Sequence, residues 1–88
     1  MTDILYTRFI GGEEMSTEQK ALIGDIISQH RNEMKLTQLQ LADKAALSRS
    51  YISDIEKGRY APSVKSLVSI ANVLNIDLNF LLTMTEMQ

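Results

Sequence analysis

The fold class of this chain can be inferred from residues 37–57, TQLQLADKAALSRSYISDIEK. Thr37 and Ser48 are residue types that cap helix N-termini, and each precedes a stretch with apolar residues at helical spacing. The stretch predicts one short helix over residues 38–45 and a second over residues 49–57, joined by a tight turn. Gly58 follows as the residue type that ends a helix in the left-handed conformation.

The outer face of the second helix is polar, which distinguishes it from a core helix. That face carries Arg49, Ser50, Ser53, Asp54 and Lys57, while Ile52 and Ile55 face inward. In the first helix Leu41, Ala42 and Ala45 face inward, and the small Ala42 permits close approach of its neighbour. Two such helices form a helix-turn-helix, whose second helix lies in the DNA major groove. The pattern predicts a protein that binds double-stranded DNA.

Three further helices are predicted on either side of this pair, so the expected fold class is all-α. A helix from Thr17 to about Met34, capped by Ser16 or Thr17, has an inner stripe formed by Leu22, Ile23, Ile26, Ile27 and Met34. Ser63 caps a fourth helix that Asn75 ends, with its inward residues Leu67, Ile70, Ala71 and Leu74. Asp77 caps a short fifth helix from Leu78 to about Thr83.

The chain divides into a helical domain over residues 17–83, an N-terminal extension over residues 1–16 and a tail over residues 84–88. The apolar residues of the extension do not alternate cleanly, so it is either disordered or a short strand that pairs across a dimer. A DNA-contacting arm is a third reading, for which Arg8 is the only cation in the first ten residues.

Charge is unevenly distributed along the 88 residues, whose formal net charge is −2. Residues 31–65 contain seven basic and four acidic residues, so this middle part carries +3 while both ends are acidic. The phosphate-facing charge is therefore confined to the predicted DNA-binding region. No apolar run exceeds three residues, and the start of the chain has no basic, apolar leader, so we expect a cytoplasmic protein that does not span a membrane.

The order and spacing of these features resemble the Xre/Cro-type helix-turn-helix regulators over roughly residues 20–82. The matching residues are Arg31, Leu36-Thr37-Gln38, Leu41-Ala42, Leu47-Ser48, Tyr51-Ile52-Ser53, Ile55-Glu56-Lys57-Gly58, Pro62-Ser63, Leu67, Ile70-Ala71, Leu74 and Leu81-Leu82. The resemblance implies a compact five-helix, lambda-repressor-like domain that binds inverted-repeat operators as a homodimer. Similar proteins include phage repressors, restriction-modification controller proteins and some antitoxins.

The resemblance also implies roles for residues at the matching positions. Base-reading positions are Ser48, Arg49, Ser50, Ser53 and Asp54, with Arg49 suited to guanine O6 and N7. Asp54 could accept from a cytosine amino group or pair with Arg49 or Lys57. DNA-backbone positions are Thr37, Gln38, Tyr51, Lys57, Arg59, Tyr60 and Lys65. Arg31 and Glu56 resemble the family's structural ion pair, and dimerisation is expected around Leu78, Phe80, Leu81 and Met84.

Two positions depart from the family pattern, because Lys35 and Ala46 stand where these proteins often have glycine. A non-glycine residue in the left-handed conformation costs ~1 kcal/mol or somewhat more, so both turns should be locally less stable. Leu39 stands where the family often has a polar residue, which leaves it either exposed or covering the first helix.

The favoured function is a sequence-specific transcriptional regulator, most simply a repressor. The alternative is an antitoxin or adaptor-type module that mainly binds a partner protein, with DNA binding secondary. The sequence shows no nucleophile paired with a base, no phosphate-binding glycine loop and no cysteine, and His30 is its single histidine. We therefore expect no enzyme activity, no cofactor, no metal and no small-molecule ligand.

Overall fold

The computed structural model describes residues 15–86, and the side chains of residues 15–81 and 83. Five helices follow one another along the chain: α1 (Thr17–Glu33), α2 (Gln38–Ala45), α3 (Arg49–Glu56), α4 (Val64–Leu74) and α5 (Leu78–Glu86). No strand occurs among the described residues, and the all-α, five-helix prediction is confirmed. The alternatives for the N-terminal extension fall on residues 1–14, which lie outside the described part of the chain.

The helices begin where hydroxyl side chains cap them. Ser16 and Thr37 each form a capping box, in which the hydroxyl accepts from the backbone N–H three residues on and a glutamine returns the bond. Ser48 and Ser63 accept from the N–H groups of Tyr51 and Ser66. Because these bonds are local, the predicted helix starts agree with the observed ones. The exception in length is α5, which continues to Glu86 instead of ending near Thr83.

The core lies where α1 and α2 pack on α3, with α4 against α2 and α5 against α1. Its fully buried large side chains are Ile23, Ile27, Leu41, Ile52, Ile55, Leu67, Ile70 and Leu81. Two members of the predicted inner stripe of α1 do not belong to it, because Leu22 is 38% exposed and Met34 is 46% exposed. Leu22 lies about 100° around the helix from Ile23, and Met34 caps the end of α1 where the chain leaves the core.

Glycine is required at one helix crossing that the sequence reading did not single out. A Cβ on Gly24 of α1 would lie 2.5 Å from the Ile55 carbonyl oxygen and 2.7 Å from the Glu56 carbonyl oxygen. The side of α1 therefore rests directly on the C-terminal turn of α3. This contact fixes the direction of α3, the helix expected to meet DNA.

Non-glycine residues adopt the left-handed conformation just after the ends of α1, α2 and α4. Lys35 and Ala46 both have φ of 58°, as their positions predicted, and Asn75 has φ of 60°. Beyond Ala46 the Leu47 N–H donates to the Ala42 carbonyl oxygen at 2.9 Å, which closes the turn between α2 and α3. The turn is thus fully formed with alanine at the strained position.

The proposed dimer residues on α5 do not share one environment. Leu81 is fully buried within the chain, so it cannot offer its side chain to a partner, and that part of the prediction is wrong. The cause is the packing of α5 on α1, which directs Leu81 into the core. Phe80 is 48% exposed and Leu78 is half-buried against the core, whereas the side chain of Met84 is outside the described part.

Candidate nucleic-acid interface

The first turn of α3 is exposed along its whole polar side. Ser48, Arg49 and Ser50 are all exposed, while Ile52 and Ile55 hold the opposite side of the helix in the core. Ser48 caps the helix through a 3.0 Å hydrogen bond from the Tyr51 N–H. Three of the five predicted base-reading residues therefore lie together on open surface at the start of α3.

The other two base-reading candidates, Ser53 and Asp54, are half-buried. Asp54 pairs with neither Arg49 nor Lys57, because its Oδ1 accepts from Arg59 Nη1 at 3.3 Å. Pairing with Arg49 or Lys57 was one of two alternatives for Asp54, and the observed partner is Arg59 for a local reason. The chain turns after Gly58, and the Arg59 N–H also donates to the Asp54 carbonyl oxygen at 2.9 Å, which brings the two residues together.

Hydrogen bonds join side chains of α1, α2 and α3 into one polar network, which consists of Arg31, Glu56, Gln38 and Arg49. Arg31 donates to both carboxylate oxygens of Glu56, from Nε at 2.7 Å and from Nη2 at 3.0 Å, and its Nη1 donates to the Leu36 carbonyl oxygen at 2.8 Å. Gln38 donates from Nε2 to Glu56 Oε1 at 3.0 Å, and Arg49 donates from Nη1 to Gln38 Oε1 at 3.3 Å.

The ion pair within this network is well removed from water, since the side chains of Arg31 and Glu56 are 13% and 6% exposed. Hydrogen bonding to Glu56 raises the pKa of Arg31 above its usual value, burial opposes that rise, and the charge of Glu56 adds to it. Arg31 therefore carries its positive charge within this pair. A bidentate arginine-carboxylate pair of this kind fixes geometry as well as charge.

The residues predicted to contact the DNA backbone lie at the start of α2, within α3 and after the end of α3. Thr37 is exposed, but its hydroxyl already accepts from the Gln40 N–H at 3.0 Å. Four further candidates beyond α3 are exposed as well: Lys57, Arg59, Tyr60 and Lys65. These residues offer three cations and one phenol to solvent.

Tyr51 has an internal partner that sequence reasoning missed. The Ser63 N–H donates to the Tyr51 hydroxyl at 3.3 Å, and the rings of Tyr51 and Tyr60 lie 6.4 Å apart. Tyr51 thereby ties α3 to the loop before α4, which carries Arg59 and Tyr60. The link joins residues 12 positions apart in different elements, so no short-range pattern in the sequence would have indicated it.

Neither metal nor membrane features occur in the part of the chain described by the structure. Residues 15–86 contain no group of three histidine, cysteine, aspartate or glutamate side chains placed to hold a metal ion. His30 Nδ1 lies 2.9 Å from the Ile26 carbonyl oxygen, one turn back along α1. Among the same residues, no helix has the length and apolar character needed to cross a bilayer.

Comparison with known families and proteins gives consistent matches. A helix-turn-helix family matches residues 27–81, which include α2, α3 and α4 completely. The chain is 48% identical over 66 residues to the ImmF control region 10 kDa protein of Bacillus phage phi105, a match that covers 75% of this chain and 72% of that protein. It is 51% identical over 57 residues to the immunity repressor protein of the same phage, covering 65% of this chain but 40% of the repressor.

A more distant regulator and a solved structure agree with these matches. The transcriptional regulator SinR of Bacillus subtilis is 36% identical over 62 residues, covering 69% of this chain and 56% of SinR. The crystal structure of the clp gene regulator ClgR from Corynebacterium glutamicum superposes with a TM-score of 0.69 at 24% identity, covering 76% of this chain and 71% of ClgR. At that identity the likeness to ClgR shows a shared fold.

Proposed function

The chain belongs to the Xre-type helix-turn-helix family of transcriptional regulators, and we propose that it is a repressor. It binds an inverted-repeat operator as a homodimer and places α3 in the major groove. The observation that carries this proposal is the exposed first turn of α3, where Ser48, Arg49 and Ser50 are open to solvent. The opposite face of the same helix is held in the core by Ile52 and Ile55. Recognition helices read bases with their N-terminal residues.

Arg49 is the principal base-reading residue in this proposal. Its guanidinium is exposed and can donate two parallel hydrogen bonds to guanine O6 and N7, a contact worth ~1 to 3 kcal/mol in discrimination. Ser48 and Ser50 flank it with hydroxyl groups that both donate and accept. The serines add contacts that distinguish bases less strongly.

Backbone contacts come from cations around α3. Lys57, Arg59 and Lys65 are exposed, in a chain whose middle part carries net positive charge between acidic ends. Such contacts place the protein on the duplex without reading its sequence. We infer that they set the register of α3 in the groove.

Repression and dimerisation are supported by separate observations. The 51% identity to a phage immunity repressor favours repression by occupancy of an operator. For the dimer, the apolar ring of Phe80 on α5 is 48% exposed and so is open to a partner. A two-fold dimer through this helix would place two copies of α3 on half-sites one helical turn apart, ~34 Å.

The proposal is tested by selecting bound fragments from a randomised duplex pool at two salt concentrations. Wild type is compared with Arg49→Ala and with Lys44→Ala, a control that removes an exposed cation assigned no DNA contact. We expect wild type and the control to enrich the same inverted repeat, and Arg49→Ala to lose its preference at one symmetric pair of positions. Absence of any enriched sequence would contradict the proposal and favour the partner-binding module, to which exposed apolar side chains such as Leu39 on α2 and Phe80 on α5 are open.

A further inference from the structure

We propose that Asp54 is a positioning residue for the phosphate contact of Arg59. The inference rests on the proposed DNA-binding function, in which Arg59 contacts the backbone of the duplex. Asp54 is half-buried on α3, and its negative charge alone would oppose the approach of a polyanion. The proposal gives this carboxylate a favourable part in DNA binding that involves no base.

The backbone of the loop between α3 and α4, residues 57–63, is tied to α3 at both ends. Near its start, the Arg59 N–H donates to the Asp54 carbonyl oxygen at 2.9 Å. At its far end, the Ser63 N–H donates to the Tyr51 hydroxyl at 3.3 Å. Both acceptors belong to α3, so the main chain of Arg59 is placed relative to the helix expected to meet DNA.

The direction of the Arg59 side chain is then set by Asp54. Nη1 of Arg59 donates to Oδ1 of Asp54 at 3.3 Å, and no other side chain among residues 15–81 is hydrogen-bonded to this guanidinium. The arginine side chain is 65% exposed, so packing restricts it little. A long exposed side chain without a partner samples many rotamers. The bond to Asp54 therefore selects the direction in which the guanidinium leaves the loop.

A guanidinium held in this way can still bind phosphate. Arginine has five N–H donors, and Asp54 accepts from one of them, on Nη1. Nε and Nη2 are left for a bidentate contact with phosphate oxygens. Restricting an exposed side chain before it binds lowers the entropy lost on binding. Because an exposed ion pair adds little to the stability of a fold, we infer that the consequence of this pair lies in binding.

Two other roles for Asp54 have different signatures. A carboxylate that accepts from a cytosine amino group changes the preference at one base pair. A carboxylate that competes with phosphate for Arg59 lowers affinity, and its removal releases the guanidinium for DNA. A carboxylate that positions Arg59 instead raises affinity about equally on all sequences, because phosphate contacts carry no sequence information.

The experiment measures dissociation constants on the duplex selected by wild type and on its single-position variants. Asp54→Ala, Arg59→Met and the double variant form one thermodynamic cycle. Asp43→Ala combined with Arg59→Met forms the matched control cycle, because Asp43 is an exposed carboxylate on α2 that is not the partner of Arg59. Asp54→Asn is measured as well, since it keeps an acceptor oxygen and removes only the charge. Urea denaturation establishes that each variant is folded under the assay conditions.

The sign of the coupling between Asp54 and Arg59 separates the roles. In the Arg59→Met background, Asp54→Ala removes a negative charge near phosphate and should raise affinity. With Arg59 present, the same change should be less favourable by about 3-fold per chain, or about 10-fold for a dimer, within the range found for exposed ion pairs. Asp54→Asn should keep part of this coupling, whereas the Asp43 cycle should show none.

The possible failures are distinguishable. If wild type selects a sequence but the coupling is zero, as in the Asp43 cycle, or has the opposite sign, the positioning role is wrong and the proposed function stands. An effect of Asp54→Ala confined to one base pair also contradicts positioning and indicates base reading. If wild type selects no sequence, the DNA-reading function itself fails, and the positioning role with it.

Discussion

Among single residues, Glu56 combines deep burial with the largest number of hydrogen bonds to side chains described in this chain. Two elements depend on it, since Arg31 reaches it from α1 and Gln38 from α2. Removing one partner of a buried pair leaves an uncompensated charge, which costs more than the pair itself contributes. Exposed pairs behave differently because water replaces the lost partner.

The two ion pairs of the described residues allow this difference to be measured. We expect Arg31→Met to lower the free energy of unfolding by about 3 kcal/mol, because the Glu56 carboxylate is 6% exposed. Arg59→Met breaks the pair with Asp54, where the arginine side chain is 65% exposed, and should cost less than about 1 kcal/mol. Urea denaturation measures both. Equal losses would show that burial of Glu56 does not govern the effect.

Helix ends were predictable from the sequence, whereas the buried faces of the helices were predictable only in part. The starts of α1, α2, α3 and α4 follow from caps whose hydrogen bonds span three residues. The exposure of Leu22 and Met34 depends on how α1 lies against its neighbours, which no local pattern encodes. The need for Gly24 depends likewise on the crossing of α1 and α3.

The turn between α2 and α3 gives a prediction about glycine. Ala46 has φ of 58°, so Ala46→Gly should raise the free energy of unfolding by about 0.5 to 1 kcal/mol as the left-handed strain is removed. Ala21→Gly, at an exposed position inside α1, should lower it by about 1 kcal/mol. Thermal and urea unfolding of the two variants provide the measurement. A loss of stability in both would mean that the turn carries no such strain.

At the crossing of α1 and α3, replacing glycine by alanine is expected to destabilise the fold. Gly24→Ala favours the helix by propensity, yet its Cβ would lie 2.5 Å from the Ile55 carbonyl oxygen. We expect the variant to lose about 1 to 3 kcal/mol, the usual cost of overpacking. The measurement is urea denaturation with Ser28→Ala, a half-buried position on α1, as control. A stabilised Gly24→Ala protein would contradict the close approach of the two helices.

The position of the candidate interface in the molecule followed from the sequence, but the hydrogen bonds between its side chains did not. Capping and polar patterning predicted an α3 with Arg49 on its outer face, and Arg49 is exposed. The bond from Arg49 to Gln38 joins the first residues of two helices 11 positions apart, so it depends on the turn geometry between them. The same holds for Asp54, whose partner Arg59 lies beyond the end of α3.

Dimeric binding has a consequence for salt dependence. Lys57, Arg59 and Lys65 would supply three phosphate contacts per chain and six per dimer. Six contacts predict a slope of about −5 in log affinity against log salt, and so a loss of about 10³-fold between 50 and 200 mM. Lys65→Ala should reduce the slope by about 1 per chain, whereas Lys44→Ala should leave it unchanged. A wild-type slope near −3 would indicate that one chain binds alone.

Methylation protection of guanine N7 by dimethyl sulfate on the selected duplex tests directly whether α3 reads guanine through Arg49. Arg49 would occupy that nitrogen from the major groove. We predict protection of one guanine in each half-site by wild type and by Lys44→Ala, and renewed methylation of the same guanines when Arg49→Ala is bound at saturating concentration. Protection that persists in Arg49→Ala, or a bound duplex with no protected guanine, would contradict the account.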